Sequence, residues 1–229
     1  MKLIIDIQYF PSVNLYKILY KFSNIVFDQY ESYQKMGFRN RCQVAGAQGM
    51  VNLSVPLVRG RGQKTLVRDV RISNRQPWQA QHWKTIVSCY SRSPWFDHYR
   101  DELEGLYRRR FDFLLAWDLA CFDWSVRVVG LAIPVGLTER WERGYSASEA
   151  VDWRGRLRPK YREQAGGEMG RGGAGSAEED GPGSGEADAV DRPVRYRQVF
   201  EERTGFIPNL SILDLLFCEG KNAIGYLRG

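Results

Sequence analysis

The order of apolar and polar positions divides the chain into a strand-rich opening and a helix-rich remainder. Leu3–Ile7 is an apolar run interrupted only by Asp6, and it predicts a buried strand. Pro11 ends it. Leu15, Ile18, Leu19 and Phe22 then recur at helical spacing, so Asn14–Phe22 is expected to be helical, with Ser12 or Asn14 as its cap. Ile25, Val26 and Phe27 predict a second strand over Asn24–Asp28. Strand, helix and strand in so short a stretch have the length of a β-α-β unit with a right-handed crossover. Val51, Leu53, Val55 and Leu57 alternate as a strand does, and so do Leu66, Val70 and Ile72. The two segments are read as a hairpin joined by the basic loop Arg59–Gln63.

The period then changes. Trp78–Tyr90 predicts a helix whose stripe is Trp83, Ile86, Val87 and Tyr90. Asp97–Arg110 predicts an amphipathic helix after the break at Pro94. Phe111–Gly130 predicts a long apolar helix ended by its glycine. Leu210–Cys218 is short and so apolar that it must dock on the main body. The fold class expected is therefore α/β: an N-terminal β-α-β unit and β-hairpin forming a mixed sheet, followed by a mainly helical C-terminal part.

Charge sharpens this division. The net charge of the 229 residues is +6, but Gln164–Asp191 holds one arginine against seven acids, a net of −6. The remainder therefore carries 32 bases and 20 acids, or +12. Residues 165–190 are rich in Gly, Ser, Ala and acids and cannot bury enough surface to offset their ordering entropy. They are expected to be a flexible insert within a single domain spanning 1–229. The basic excess points to an anionic partner, taken here as a small-molecule substrate. Nucleic acid is disfavoured, because aromatic residues do not alternate with the basic ones. No stretch reaches the roughly 20 apolar residues of a membrane span, and Met1–Tyr9 lacks the apolar core of a signal peptide. Cys42, Cys89, Cys121 and Cys218 form no close pair, which disfavours a zinc site and suggests reduced thiols. The expected location is the cytoplasm.

Candidate chemistry falls in a few places. Gln8 and Tyr9 follow the first strand directly, where open α/β sheets bind ligands, and Asn14 lies in the next helix. Asp28 follows the second strand, where a carboxylate can hold a ribose or sugar hydroxyl. Lys35–Arg75 contains nine bases and one acid, and Arg39-Asn40-Arg41 is its sharpest piece. Guanidinium groups bind phosphate or carboxylate in bidentate fashion, and an asparagine can read a neutral polar group. His82 could move a proton near neutral pH or could be a satisfied core histidine, and Lys84 could hold phosphate. Asp214 lies in an apolar helix, where it is either a hydrogen-bond anchor or part of a pocket. No glycine-rich nucleotide signature is present, and the sequence leaves any cofactor unknown.

Several segments taken together resemble the WbqC-like family. They are Ile7-Gln8-Tyr9-Phe10-Pro11, Phe27-Asp28-Gln29-Tyr30-Glu31, Phe38-Arg39-Asn40-Arg41 and Leu53–Pro56, then His82-Trp83-Lys84-Thr85-Ile86 with Tyr90. Ser93-Pro94-Trp95-Phe96 and the ending Phe206–Phe217 complete the set. Two positions depart from the pattern: no proline follows Gln8, and Asn14 stands where a glycine is common. The resemblance implies a bacterial protein of surface-polysaccharide (O-antigen) biosynthesis, a transferase acting on a nucleotide-activated sugar or related phosphorylated metabolite. A non-catalytic anion or nucleic-acid binder, or a scaffold of a polysaccharide assembly, is the competing expectation.

Overall fold

A computed structural model describes residues 1–35, 37–58, 65–146, 148–156 and 192–228. The expected flexible insert and the loop Arg59–Gln63 lie outside the described residues. Strands β1 (Lys2–Ile5) and β2 (Asn24–Phe27) flank helix α1 (Val13–Leu19) and pair in parallel, with Leu3 opposite Ile25. Strands β3 (Arg41–Gly46) and β4 (Gly49–Ser54) follow, then helices α2 (Trp78–Tyr90), α3 (Phe96–Arg108) and α4 (Leu114–Val129). The short strands β5 (Val135–Leu137) and β6 (Val151–Asp152) return to the sheet. Helices α5 (Glu201–Thr204), α6 (Ile212–Glu219) and α7 (Ala223–Arg228) close the chain.

The architecture is α/β. Four parallel strands lie in the order β5-β2-β1-β6, beside the antiparallel β3-β4 hairpin, and the C-terminal part is mainly helical. The hairpin differs from the expected one. Gly49–Ser54 pairs with Arg41–Gly46, and Thr65–Ile72 supplies instead a short 3-10 turn with isolated bridges from Leu66 to Ser32 and from Ile72 to Leu57. The physical reason is the turn at Gly46–Gly49, where Gly49 adopts φ 118°, a conformation open to glycine. That turn brings Val44 opposite Val51 and Cys42 opposite Leu53.

The core is continuous from Leu3 to Leu227. Along α2 the buried stripe is Trp78, His82, Ile86 and Tyr90, spaced by four residues. Trp83 and Val87 pack beside it, half-buried. Trp117 of α4 meets the rings of Tyr9, Phe10, Trp78, Tyr107 and Phe111. Helix α4 ends on Gly130 at φ 76°, as its sequence predicts. Helix α6 is buried from Ile212 to Phe217 and packs on α1, α3, α4 and β3. Its N-terminus is sewn to the end of β1: Ile212 N–H donates to the Pro11 carbonyl at 2.9 Å, and Ser211 Oγ donates to the Phe10 carbonyl at 2.9 Å. Phe10 itself has φ 40°, an uncommon angle for a bulky residue, held by this clamp and by burial. No helix among the described residues is long and apolar enough to cross a membrane.

Candidate functional site

Because all four strands of the sheet are parallel, their carboxyl ends share one edge. The chain leaves β1 for β2 on one side, while β6 lies on the other side of β1. In open sheets such a switch of direction opens a crevice at the carboxyl edge. Here that edge carries buried acids. Asp6 follows β1 and accepts from the Gly155 N–H at 2.9 Å. Asp28 follows β2 and is wholly buried. Its Oδ1 accepts from the Tyr30 N–H at 2.9 Å and the Thr138 hydroxyl at 3.0 Å, and its Oδ2 accepts from Arg154 Nη1 at 2.6 Å. Arg154 also donates from Nε and Nη2 to Asp152, at the end of β6. One arginine therefore ties together the ends of β2 and β6.

A second arginine lies beside this network. Arg39 is 3% exposed, and among the described residues its hydrogen bonds go to Glu31, through Nε and Nη2. Burial works against its charge, but Asp6 and Glu31 outweigh burial and hold its pKa above the ordinary value. Burial raises the Glu31 pKa, with Arg39 only partly offsetting it. Asp118 of α4 in turn feels the charge of Arg39. It is wholly buried on the core face of the helix, and neither carboxylate oxygen has a hydrogen-bond partner among the described residues. Burial drives its pKa well above the ordinary carboxylate value, against the lowering by Arg39.

Gln8 completes this group. It is wholly buried, and among the described residues neither its amide nitrogen nor its amide oxygen is hydrogen-bonded. The next residue, Tyr9, donates its N–H to the Phe38 carbonyl at 3.1 Å, which sets Gln8 beside the backbone entering Arg39. The ring of Tyr9 lies 5.4 Å from that of Trp117, the neighbour of Asp118. The backbone that follows Gln8 is therefore tied to the segment that carries Arg39, and the Tyr9 ring to the segment that carries Asp118. A buried polar group without a partner costs about 1–3 kcal/mol, so each of the two marks a place kept polar for a ligand or water.

The other expected residues occupy separate positions. Tyr9 Oη lies 3.1 Å from His82 Nδ1 and 2.6 Å from Tyr107 Oη. The Ser54 backbone carbonyl takes the imidazole N–H, which leaves Nδ1 to accept the Tyr9 hydroxyl. Burial pushes the His82 pKa down to about 4, so the ring is neutral. Asn40 accepts from the Tyr33 hydroxyl at 2.9 Å and donates to the Val55 carbonyl at 3.0 Å, pinning the hairpin base to the Arg39 loop. Arg41 begins β3 and is half-buried near Tyr33. Asn14 is buried in the first turn of α1. Lys84 is exposed, two residues from His82 and hence on the opposite side of α2.

Asp214 accepts from the Tyr90 hydroxyl at 2.6 Å and the Tyr196 hydroxyl at 2.7 Å, and its pKa is also lowered by a hydrogen bond with Gln198. Tyr90 in turn accepts the Ala45 N–H at 2.8 Å. Asp214 thus fastens α6 to α2, the hairpin and the segment around Tyr196, and none of these partners belongs to the Arg39 group.

The structure brings Gln8, Asp28 and Arg39 to one edge and pairs Tyr9 with His82. Sequence reasoning missed Asp118, Asp6, Asp152 and Arg154 as members of this edge. Asp118 had a readable signal, a carboxylate between Trp117 and Leu119, on the same face as Leu114 and Leu115 of an apolar helix. Arg154 had none. Among the described residues no group of three or more His, Cys, Asp or Glu could hold a metal ion. A separate groove of about 800 Å³ lies between α3 and α4, lined by Leu106, Arg109, Phe111, Asp123, Trp124 and Arg127.

No curated protein and no solved structure shows significant similarity to the chain. Residues 7–161, which run from the end of β1 past Arg154 and include every member of the carboxyl-edge group except Asp6, match the WbqC-like protein family. That match spans more than half of the sequence, and the chain belongs to the WbqC-like protein family.

Proposed function

We propose that the chain is a cytoplasmic transferase acting on a nucleotide-activated sugar, or a related phosphorylated metabolite, in surface-polysaccharide biosynthesis. The observation that carries this reading is a buried Gln8 directly after β1 and a buried Asp118 under the charge of Arg39, both without hydrogen-bond partners among the described residues, in a chain whose parallel sheet has its carboxyl ends at one edge. The interior supplies acceptors and an amide, suited to a polar ligand. Bases stand nearer the surface. Arg41 is half-buried near Tyr33, and Arg68 is exposed with its guanidinium 4.5 Å from the centre of the Tyr30 ring, two residues from Asp28. These two are suited to phosphate or a nucleotide.

Gln8 would bind the substrate directly, with Asn14 close behind it in α1. Tyr9 would be oriented by His82 and Tyr107. Arg39, tied to Glu31, would present its remaining N–H groups. In this reading His82 positions Tyr9 and does not carry a proton itself. Asp28, Asn40 and Asp214 hold the framework, and Lys84 stands outside the site.

The test is a thermal-shift screen of the purified chain against UDP-, dTDP-, CDP- and GDP-linked hexoses and their nucleoside diphosphates, followed by assays of donor consumption. Stabilisation by one nucleotide class, with turnover once an acceptor is supplied, supports the reading. It is overturned if no member shifts the melting temperature at millimolar concentration, or if binding merely scales with ligand charge and vanishes with salt, as for a general anion binder.

A further inference from the structure

The loop after β5 is fastened across the carboxyl edge. It begins at Thr138, whose N–H donates to the Phe27 carbonyl at 3.0 Å, whose hydroxyl donates to Asp28 at 3.0 Å, and whose carbonyl accepts from Gln29 Nε2 at 2.7 Å. Farther along, the Glu142 and Arg143 carbonyls accept from Arg154 at 2.9 and 3.4 Å, and the Tyr145 ring centre lies 5.3 Å from the Arg154 guanidinium. Arg154 itself reaches from the end of β6 to Asp28 after β2, across the end of β1 between them. All three of its nitrogens are engaged within the protein, so Arg154 is a clamp on the loop and not a ligand contact.

This fixed loop carries Trp141. The chain has seven tryptophans. Trp78, Trp117, Trp124 and Trp153 are buried and Trp83 and Trp95 are half-buried, whereas Trp141 is 56% exposed. A large aromatic held open on a pre-organised loop marks a contact surface. Its neighbours Glu139, Arg140, Arg143 and Gly144 are exposed and mostly charged, so Trp141 is not the centre of an apolar patch of the kind that anchors a protein interface.

The surroundings suit a ligand with a flat face and negative charge. Arg143 is exposed and stands two residues from Trp141, which keeps their Cα atoms within about 7 Å. On the other side, Trp141 lies within about 11 Å of Thr138, Cα to Cα. Thr138 is bonded to Gln29, the neighbour of Tyr30, and the Tyr30 ring carries the Arg68 guanidinium 4.5 Å from its centre. Aromatic and basic residues therefore interleave over 140–145, as they do not over 35–75.

We propose that Trp141 is the stacking platform for a nucleobase at the carboxyl edge. This rests on the nucleotide reading above and names the residue that holds the base. Stacking takes one open ring face and requires no enclosed cavity, while nearby arginines meet the phosphates. Because every base has a π-face, Trp141 favours nucleotides over bare phosphate without choosing among bases.

The experiment uses the full chain and Trp141→Ala. Titration calorimetry compares UDP, dTDP, CDP and GDP, their hexose-linked forms and pyrophosphate. Acrylamide quenching of tryptophan fluorescence in the wild type reports whether the exposed indole is covered. The expected result is that Trp141→Ala melts with the wild type and weakens nucleoside diphosphates and nucleotide-hexoses alike by about tenfold, while pyrophosphate stays within about twofold. Nucleoside diphosphates should shield the wild type from acrylamide, and pyrophosphate should not. Nucleotide affinities unchanged in Trp141→Ala would overturn the inference and leave the transferase reading standing. Equal weakening of pyrophosphate would also overturn it, since the loss would then be a general one. If Trp141→Ala melts lower, shielding in the wild type decides: its presence supports the platform and its absence overturns it. If no nucleotide-hexose binds the wild type, the transferase reading falls. Shielding by millimolar nucleoside diphosphates then still supports the platform, and no shielding overturns it as well.

Discussion

Asp28 and Asp118 are both wholly buried carboxylates near an arginine, and their situations are opposite. Among the described residues Asp28 has three hydrogen-bond donors, including Arg154 Nη1 at 2.6 Å, whereas Asp118 has none. Removing one partner of a buried pair leaves an uncompensated charge, which typically costs about 3–5 kcal/mol. Arg154→Met is therefore expected to destabilise the fold by about 3 kcal/mol in urea unfolding, and Asp28→Asn in the same background should recover part of that loss. If Arg154→Met unfolds at the wild-type midpoint, the pair does not hold the strand ends. Asp118→Asn is expected to show no such loss. At this scale the sequence was partly legible. Gln8, Asp28 and Arg39 stand out because they follow strands or sit in a basic run. Asp118 was passed over because a long apolar helix draws the eye to its hydrophobes. The pairing of Arg154 with Asp28 joins residues 126 positions apart, a distance no local pattern encodes.

Among the elements, legibility followed length. The helices over Trp78–Tyr90, Phe96–Arg108 and Leu114–Val129 lie within three residues of their expected bounds, because several turns of periodic burial repeat the same signal. Strand β3 was missed, since Cys42, Val44 and Ala45 make a weak apolar alternation among Arg41, Gln43 and Gly46. Strands β5 and β6 have three and two residues, too few to show a period at all, yet they complete the sheet and bring Thr138 and Asp152 to its edge. The end of α6 rests on one glycine. Gly220 has φ 55°, and a Cβ there would lie 2.0 Å from Trp95 Cδ2. Trp95 N–H in turn donates to the Phe217 carbonyl at 3.0 Å, so backbone and ring are both fixed at this junction. Gly220→Ala combines backbone strain with a collision against a packed indole, and should cost about 2–4 kcal/mol. Thermal melting measures the loss, and near-ultraviolet circular dichroism should show Trp95 displaced. An unchanged melt and spectrum would mean that the junction adapts freely.

For the molecule as a whole, two buried groups set opposing responses to acid. Burial raises Asp214 from 3.8 to about 6, an effect the hydrogen bonds of Tyr90, Tyr196 and Gln198 only partly reverse. Between those values the folded chain holds a proton that the unfolded chain has released, so stability falls as pH rises. Burial lowers His82 from 6.5 to about 4, against the smaller raising effect of the Ser54 carbonyl. There the unfolded chain holds the extra proton, so stability rises with pH over nearly the same interval. Each shift corresponds to about 3 kcal/mol, and the two offset one another in the wild type. Glu31 and Asp118 are raised by burial and act in the same sense as Asp214, so the wild-type curve alone does not separate the contributions. Differences from the wild type do. Asp214→Asn resembles the protonated carboxyl at every pH, so its stability relative to the wild type should rise between pH about 4 and 6. His82→Gln stays neutral throughout, so its relative stability should be greatest in acid and fall as pH rises to about 6.5. Urea unfolding at half-unit pH steps gives both difference curves. Slopes of opposite sign are the expected result. Two flat curves would show that neither group changes its proton affinity on folding, and slopes of the same sign would mean that the His82 ring is held charged, with Tyr9 and the Ser54 carbonyl both acting as its acceptors.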